Sequence, residues 1–276
     1  MKKIAHLSDM HFGHHEPSIT ADLLKSVEAE RPDLVVLSGD FTQRARRAQF
    51  EAARDFVKAL PEPRLVIPGN HDMPLWNVVA RLCWPFANYN RYIAPLGVAG
   101  QSYRDEEMAV IGLNTARRFT GKNGRVSKEQ VDRVEAFFRD LGEKVTRVVV
   151  THHPLGQVAN EVFVDLAFRA ELALPRVVRA GTQMLLSGHH HRGLSGTIEE
   201  TEDREQALIV YAGTANSTRT REGDGNAYNL ILIEGAEVEV RIMRWVPGIG
   251  FREGRTSRYR YGDDGWQLLP TSAESL

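Results

Sequence analysis

Read only for apolar and polar positions, the chain repeats one unit: a short apolar run, a small or turn residue, then a carboxylate, amide or imidazole. Ile4 to Ser8 leads into Asp9 and His11, Leu34 to Ser38 into Gly39-Asp40, and Leu65 to Pro68 into Gly69-Asn70-His71-Asp72. Val148 to Thr151 leads into His152-His153-Pro154, and Met184 to Ser187 into Gly188-His189-His190-His191. Apolar runs of this length, bounded by turn residues, predict buried strands. Helical patterns fill the intervals at Ala21 to Glu30, Arg46 to Leu60 and Ser127 to Leu141. The last opens on Ser127-Lys128-Glu129-Gln130, which has the form of a capping box. Alternating strands and helices predict an α/β fold with its polar groups at the carboxyl ends of the strands. Beyond residue 191 the helical pattern stops. Ile198, Ala207 to Ala212, Tyr228 to Ile233 and Val238 to Trp245 read as strands of a second sheet, or of a β half that completes the same domain.

Composition narrows the class. With 276 residues, 42% hydrophobic and 26% charged, the chain suits one large domain or two small ones. We divide it into a main domain over residues 1–245 and a C-terminal extension over 246–276. In the extension, Arg258-Tyr259-Arg260-Tyr261 alternates as an exposed edge strand or hairpin would, either pairing with a second subunit in a homo-oligomer or meeting ligand. The net charge of -1 does not favour nucleic acid as a partner. Cys83 is the single cysteine, so no intramolecular disulfide forms, which fits a reducing compartment. No apolar stretch has the length of a signal peptide or a membrane span, and a cytoplasmic protein is the expectation.

The histidines carry the chemistry. All ten lie at four places: His6, His11, His14 and His15; His71; His152 and His153; and His189, His190 and His191. His6 sits inside a strand and reads as core, whereas His14 and His15 fall in the loop that follows. If the strand ends stay extended, Asp9 and His11 share one side, and so do His189 and His191, with His190 pointing away. Asp40 can serve two ions at once, since a carboxylate offers about four lone-pair sites. Asn70 adds an amide oxygen without charge, which leaves a pair of divalent ions net positive and attractive to phosphate. Each motif alone is weakly specific, because Gly-Asp and Gly-Asn are common turn dipeptides. Five in this order are strongly specific.

Together the motifs resemble the calcineurin-like metallophosphoesterase superfamily, whose pattern is Asp-x-His, Gly-Asp, Gly-Asn-His-(Asp/Glu), a histidine before a proline, and Gly-His-x-His. Every motif is intact between residues 9 and 191. The resemblance implies a four-layer α/β/β/α sandwich of two mixed β-sheets flanked by helices, with a binuclear metal centre. It implies that Asp9, His11, Asp40 and His191 hold one ion and that Asp40, Asn70, His152 and His189 hold the other. His152 is preferred to His153 because the family's ligand stands two residues before the proline. His71 would face the substrate, held by Asp72 or a neighbouring carboxylate, and would stabilise the transition state or protonate the leaving alkoxide. The loop Ala212 to Arg219 and the chain length are similar to the bacterial cyclic-nucleotide and glycerophosphodiester phosphodiesterase branch. The reaction implied is attack on phosphorus by a metal-bridging hydroxide, with a small-molecule phosphodiester as substrate. A donor set without thiolate fits manganese, iron, cobalt or zinc better than calcium.

Other stretches bear on substrate choice. Trp76, Trp84, Phe86, Tyr89 and Tyr92 lie within residues 73–100 and read first as core, second as a cap or dimer surface beside the site. Arg117, Arg118 and Arg219 follow strand ends, where solvated surface is the default and a phosphate contact the alternative. Diesters are expected over monoesters, because no general-acid carboxylate or arginine clamp is evident to neutralise a dianion. The alternatives are a DNA exonuclease, a phosphomonoesterase and a lipid-linked pyrophosphate hydrolase. A non-catalytic scaffold of this fold is disfavoured because no candidate ligand position is lost.

Overall fold

The computed structural model describes residues 1–159, 165–198, 206–218, 220 and 225–270. The first part of the chain runs β1 (Lys2–Leu7), α1 (Pro17–Glu30), β2 (Leu34–Leu37), α2 (Arg47–Ala59), β3 (Arg64–Val66), α3 (Val78–Cys83) and α4 (Ala87–Tyr92). It continues through β4 (Ser102–Arg104), β5 (Met108–Leu113), α5 (Lys128–Phe138), β6 (Thr146–Thr151), α6 (Ala170–Arg179) and β7 (Met184–Ser187). Strands β8 (Leu194–Thr197), β9 (Leu208–Tyr211), β10 (Ala227–Glu234), β11 (Glu237–Val246), β12 (Gly250–Gly262) and β13 (Gly265–Leu269) follow.

These strands form two mixed sheets, ordered β13-β12-β11-β10-β1-β2-β3 and β4-β5-β6-β7-β9-β8. The apolar runs are continuous because each central strand is covered on both faces. Ile4, Leu34 and Val36 point into the space between the sheets with Val110, Val148, Val150 and Leu186. Their neighbours Ala5, Leu7, Val35 and Leu37 pack outward with Leu23 of α1 and Phe50 of α2. On the second sheet Ala109, Ile111 and Val149 pack outward with Val134 of α5 and Val177 of α6. The result is the α/β/β/α sandwich. Each fully buried aliphatic side chain in it contributes roughly 1.5–3 kcal/mol of transfer free energy.

Ser127 and Gln130 open α5 as a reciprocal cap, the Ser127 Oγ accepting from Gln130 N at 3.3 Å and the Gln130 Oε1 from Ser127 N at 3.1 Å. The β-rich last third makes no sheet of its own. Strands β8 and β9 complete the second sheet, and β10 to β13 extend the first. Residues 250–269, within the segment set apart as an extension, pair along β11 and bury Tyr259 and Trp266 in the inter-sheet core. The aromatics of residues 73–100 divide: Tyr89 and Tyr92 are buried, whereas Trp76 and Trp84 are 81% and 65% exposed. No helix among the described residues is long and apolar enough to cross a membrane.

Strands β1, β2 and β3 run parallel, as do β5, β6, β7 and β9. Their carboxyl ends therefore meet at one edge of the sandwich, where the polar motifs follow.

Candidate metal centre

The backbone at this edge is not extended. Asp9, His11, Asp40, His189 and His191 have φ of 54°, 46°, 53°, 73° and 59°. Left-handed conformations are uncommon for residues other than glycine, and such strain persists only where the surroundings over-determine it. Here the main chain does so: Asp9 N donates to Gly39 O at 3.1 Å and His11 N to Asp40 O at 2.9 Å, which carries the β1–β2 pairing past the ends of the strands. The expected strand-like alternation of side chains is thus corrected. Asp9 and His11 come together because each residue kinks the chain, whereas His189 groups with His152 and His153, and His191 with Asp9 and His11.

Two glycines let the elements approach. Gly39, at φ 103°, lies so close that a Cβ would stand 2.7 Å from His152 Nδ1 and 2.8 Å from Gly69 N. A Cβ on Gly188 would stand 1.9 Å from Ser8 Oγ and 2.6 Å from Asp9 Oδ2. Across the seam between the sheets, His152 Nδ1 donates to Ser38 O at 2.7 Å and His189 N donates to Asp9 Oδ2 at 3.0 Å.

Each carboxylate divides its oxygens. Asp9 Oδ2 takes the His189 N–H, while Oδ1 has no hydrogen-bond partner and faces His11 Nε2 and His191 Nε2, each at 3.6 Å. Asp40 Oδ1 takes the His71 N–H at 2.8 Å, while Oδ2 lies 3.8 Å from His11 Nε2 and 3.3 Å from His152 Nε2. Asn70 Oδ1 is 3.2 Å from His152 Nε2. Asp9, His11 and His152 are wholly buried and Asp40 is 1% exposed. Both ring nitrogens of His11 lack a hydrogen bond. An imidazole and a carboxylate buried face to face without bonding each other would be costly if nothing joined them. Most of these separations suit pairs of donors sharing one ion at about 2.0–2.2 Å, whose mutual distances run to roughly 3–3.6 Å. The residues present therefore fit a metal.

Ligand-capable atoms of Asp9, His11 and His191 lie within 4.8 Å of one another, as do those of Asp9, Asp40 and His152, and those of His152, His153 and His189. His153 is nevertheless engaged at both nitrogens. Its Nδ1 meets Thr115 Oγ1 at 2.8 Å and its Nε2 donates to Lys122 O at 2.9 Å. His152 spends only Nδ1 on a carbonyl and turns Nε2 toward Asp40 and Asn70. His191 is oriented in the same manner, its Nδ1 lying 2.6 Å from Thr214 Oγ1.

The electrostatics follow this packing. Burial alone would raise the Asp9 carboxyl, but the imidazoles of His191, His11 and His152 hold it far below the usual carboxylate range. Asp40 is likewise held low against burial, chiefly by His152 and then His71. Burial would depress His152, yet the Asp40 carboxylate lifts it to about 9. Burial and then His152 push His189 down to about 3. His6 is pushed down to about 3 by burial and hydrogen-bonds Ser38 Oγ at 2.9 Å, as a core residue does.

His71 stands at the mouth of this cluster, half-buried, its ring 4.8 Å from that of His11. The expectation that Asp72 holds it is corrected, while the neighbouring carboxylate Asp40 takes its main-chain N–H at 2.8 Å. His71 Nδ1 donates to the Gln43 carbonyl at 2.9 Å. Asp72 instead binds main chain, accepting from Gly69 N, Phe41 N and Thr42 N and from Thr42 Oγ1, and so stitches the loop after β2 to the loop after β3. Burial, with the Asp40 charge behind it, pushes the Asp72 carboxyl up to about 7.

A cleft of about 590 Å³ opens over Asp40, Asn70, His71, His189 and His191, bounded by Lys122 and Asp165. These last two form an ion pair at 2.7 Å. They lie 43 residues apart and belong to no motif, so nothing in the sequence singles them out. Arg117 does not line the cleft, and its guanidinium donates to the Asn114 and Ala116 carbonyls and to Gln130. Arg118 is exposed and donates to Leu82 O. Arg219 lies outside the described residues.

The family described as calcineurin-like phosphoesterase matches residues 2–193. A glycerophosphodiester phosphodiesterase GpdQ from Enterobacter lignolyticus is 32% identical over 167 residues, 55% of this chain and 57% of that protein. A probable cyclic nucleotide phosphodiesterase from Synechococcus is 27% identical over 177 residues, 62% of this chain and 63% of that protein. The matched stretch thus spans less than two thirds of either relative. Among solved structures, a dimetal phosphatase from Danio rerio superposes with a TM-score of 0.65 at 12% identity, covering 95% of this chain and 99% of its own. A purple acid phosphatase from yellow lupin superposes with a TM-score of 0.68 at 10% identity, covering 93% of this chain and 53% of its own. At such identities these two establish the fold alone.

Proposed function

We propose that this chain, which belongs to the calcineurin-like phosphoesterase family, is a metal-dependent phosphodiesterase acting on a small-molecule phosphodiester. One observation carries the reading: Asp9 Oδ1 and His11 Nε2 are buried without hydrogen-bond partners beside His191, and Asp40 Oδ2 lies between His11 and His152. In this reading Asp9, His11, Asp40 and His191 hold one divalent ion, and Asp40, Asn70, His152 and His189 hold a second. The imidazole, carboxylate and amide donors suit manganese, iron, cobalt or zinc. Ions held there supply Lewis acidity toward phosphoryl oxygens and acidify a water nucleophile.

The chain's own groups do the rest. Ser38 O and Thr214 Oγ1 fix the rings of His152 and His191 so that Nε2 is the nitrogen turned inward. Asn70 donates an oxygen without adding negative charge, which keeps the centre attractive to a phosphate anion. His71, with Nδ1–H on the Gln43 carbonyl, keeps Nε2 as the nitrogen that exchanges a proton. As imidazolium it gives that proton to the departing alkoxide. Among the described residues Asp165 is the carboxylate at the cleft rim, and its pairing to Lys122 leaves it unavailable as a second acid for a dianionic monoester, which favours diesters. The diester named in each relative above supports the same choice. Glycerol-based and cyclic nucleotide diesters are the first substrates to try.

The test is metal analysis joined to turnover. Protein stripped with a chelator and reloaded with manganese, iron, cobalt or zinc in turn is expected to hold two ions and to hydrolyse a nitrophenyl diester with a higher kcat/KM than the matching monoester. Active protein holding one ion, or preferring the monoester, overturns the reading.

A further inference from the structure

A second pocket, of about 250 Å³, shares Asn70, His71 and Lys122 with the metal cleft and is walled further by Arg44, Arg81 and Met73. Arg44 is tied to His71 through one atom. The Gln43 carbonyl that accepts from His71 Nδ1 at 2.9 Å also accepts from Arg44 Nη1 at 3.2 Å. The guanidinium therefore stands beside the imidazole proposed to protonate the leaving group. Arg81, half-buried on α3, donates through Nε to Arg118 O at 2.9 Å and through Nη1 to Pro74 O at 3.3 Å, which holds it at the pocket wall.

Neither guanidinium has a carboxylate partner among the described residues. Several arginines elsewhere do, Arg47 meeting Glu51 at 2.8 Å, Arg176 meeting Asp132 at 2.7 Å and Arg260 meeting Glu237 at 2.6 Å. Arg133 and Arg147 meet carbonyls as Arg44 and Arg81 do, but line neither the metal cleft nor the pocket beside it. A guanidinium has five donors, and a half-buried cation that meets only neutral carbonyls gains most from an anion brought by a ligand. On a chain whose net charge is -1, such a pair within one small pocket is local chemistry rather than general basicity.

We infer that the pocket is an anion subsite, and that the substrate is a phosphodiester carrying a second phosphate on the leaving-group side of the bond that is cleaved. This rests on the phosphodiesterase reading above for the cleavage step, but the binding it predicts does not. The bond cleaved remains the P–O bond at the metal centre, with the leaving alkoxide taking its proton from His71 while the second phosphate passes through unchanged.

Two thymidine ligands differing only in a 3′-phosphate separate the claims. Calorimetric titration of manganese-loaded protein is expected to show thymidine 3′,5′-bisphosphate binding about tenfold or more tighter than thymidine 5′-monophosphate. In the double variant Arg44→Gln/Arg81→Gln that ratio should fall to within about twofold, because the neutral amides cannot form the charge-assisted bonds. Equal affinities in the unaltered protein overturn the subsite. A ratio that survives the double variant overturns the role of the two arginines and leaves them as ties between loops. Turnover of the 5′-(methyl phosphate) diesters of the same two nucleosides, read by release of the nucleoside 5′-hydroxyl, reads the cleavage step separately. If neither ester is hydrolysed while the binding ratio holds, the phosphodiesterase reading fails and the subsite stands.

Discussion

The floor and the rim of the cleft are built from different kinds of chain. On the floor, Asp9, His11, Asp40 and His152 are essentially inaccessible, follow directly from strand ends, and are locked by main-chain bonds that continue the pairing of the sheets. On the rim, Arg44, Arg81, Lys122 and Asp165 belong to loops and a short helix, are half-buried or exposed, and are held by carbonyls or by one another. Rigid geometry is where ion chemistry is decided, since donors must be fixed before the ion arrives. Adjustable geometry is where a substrate is chosen. What sets the two apart is how many backbone bonds constrain each side chain.

The contrast can be broken or sharpened by substitution. Asp40→Ala removes the carboxylate whose Oδ2 lies between His11 and His152, so metal content should fall toward zero and kcat by about 10⁴-fold or more, because the attacking water returns to its free acidity. Metal analysis alongside turnover checks this, and an Asp40→Ala protein that keeps both ions would mean the floor does not act as a unit.

His71→Ala sits between floor and rim. It should keep both ions yet lose about 10²- to 10⁴-fold in turnover of a diester with a poor leaving group, and less with nitrophenolate, which needs no proton. An equal loss on both leaving groups would place His71 with the structural floor.

Thr214→Val tests the support beneath the floor. Losing the partner of His191 Nδ1 should weaken metal affinity by about 10- to 100-fold without unfolding the chain, as read by metal titration and thermal melting.

Arg117→Gln should do least at the site. Its guanidinium is spent on Asn114, Ala116 and Gln130, so kcat/KM should change by less than about threefold, while stability falls by about 1–3 kcal/mol as those carbonyls lose their donors. A larger effect on KM than on melting would move Arg117 to the rim.

Much of the floor is legible in the order of residues along the chain. Apolar runs that end in Asp, Asn or His mark strand ends, and parallel sheets bring those ends to one edge, so Asp9, Asp40, Asn70, His152 and His189 group together from order alone. The capping box at Ser127 and the core placement of His6 are readable for the same reason, because each depends on residues close in sequence or on a strand's own pattern. The way Asp9 and His11 meet is not. An extended strand would bring them together by alternation, and left-handed backbone at both residues does it instead, held by hydrogen bonds to Gly39 and Asp40 some thirty residues away.

The sequence by itself therefore determined the class of fold, the two-sided burial of the sheets and the gathering of carboxylate, amide and imidazole groups at their ends, since these follow from side-chain chemistry and local period. Only the tertiary structure decided which nitrogen of each histidine is spent on a carbonyl, that Gln43 rather than Asp72 holds His71, and that Arg44 and Arg81 share a pocket with it. Those outcomes depend on backbone oxygens and on loops meeting across the sandwich. A carbonyl carries no residue-specific signature, and contacts between distant loops are set by how two sheets pack, which no single stretch of chain encodes.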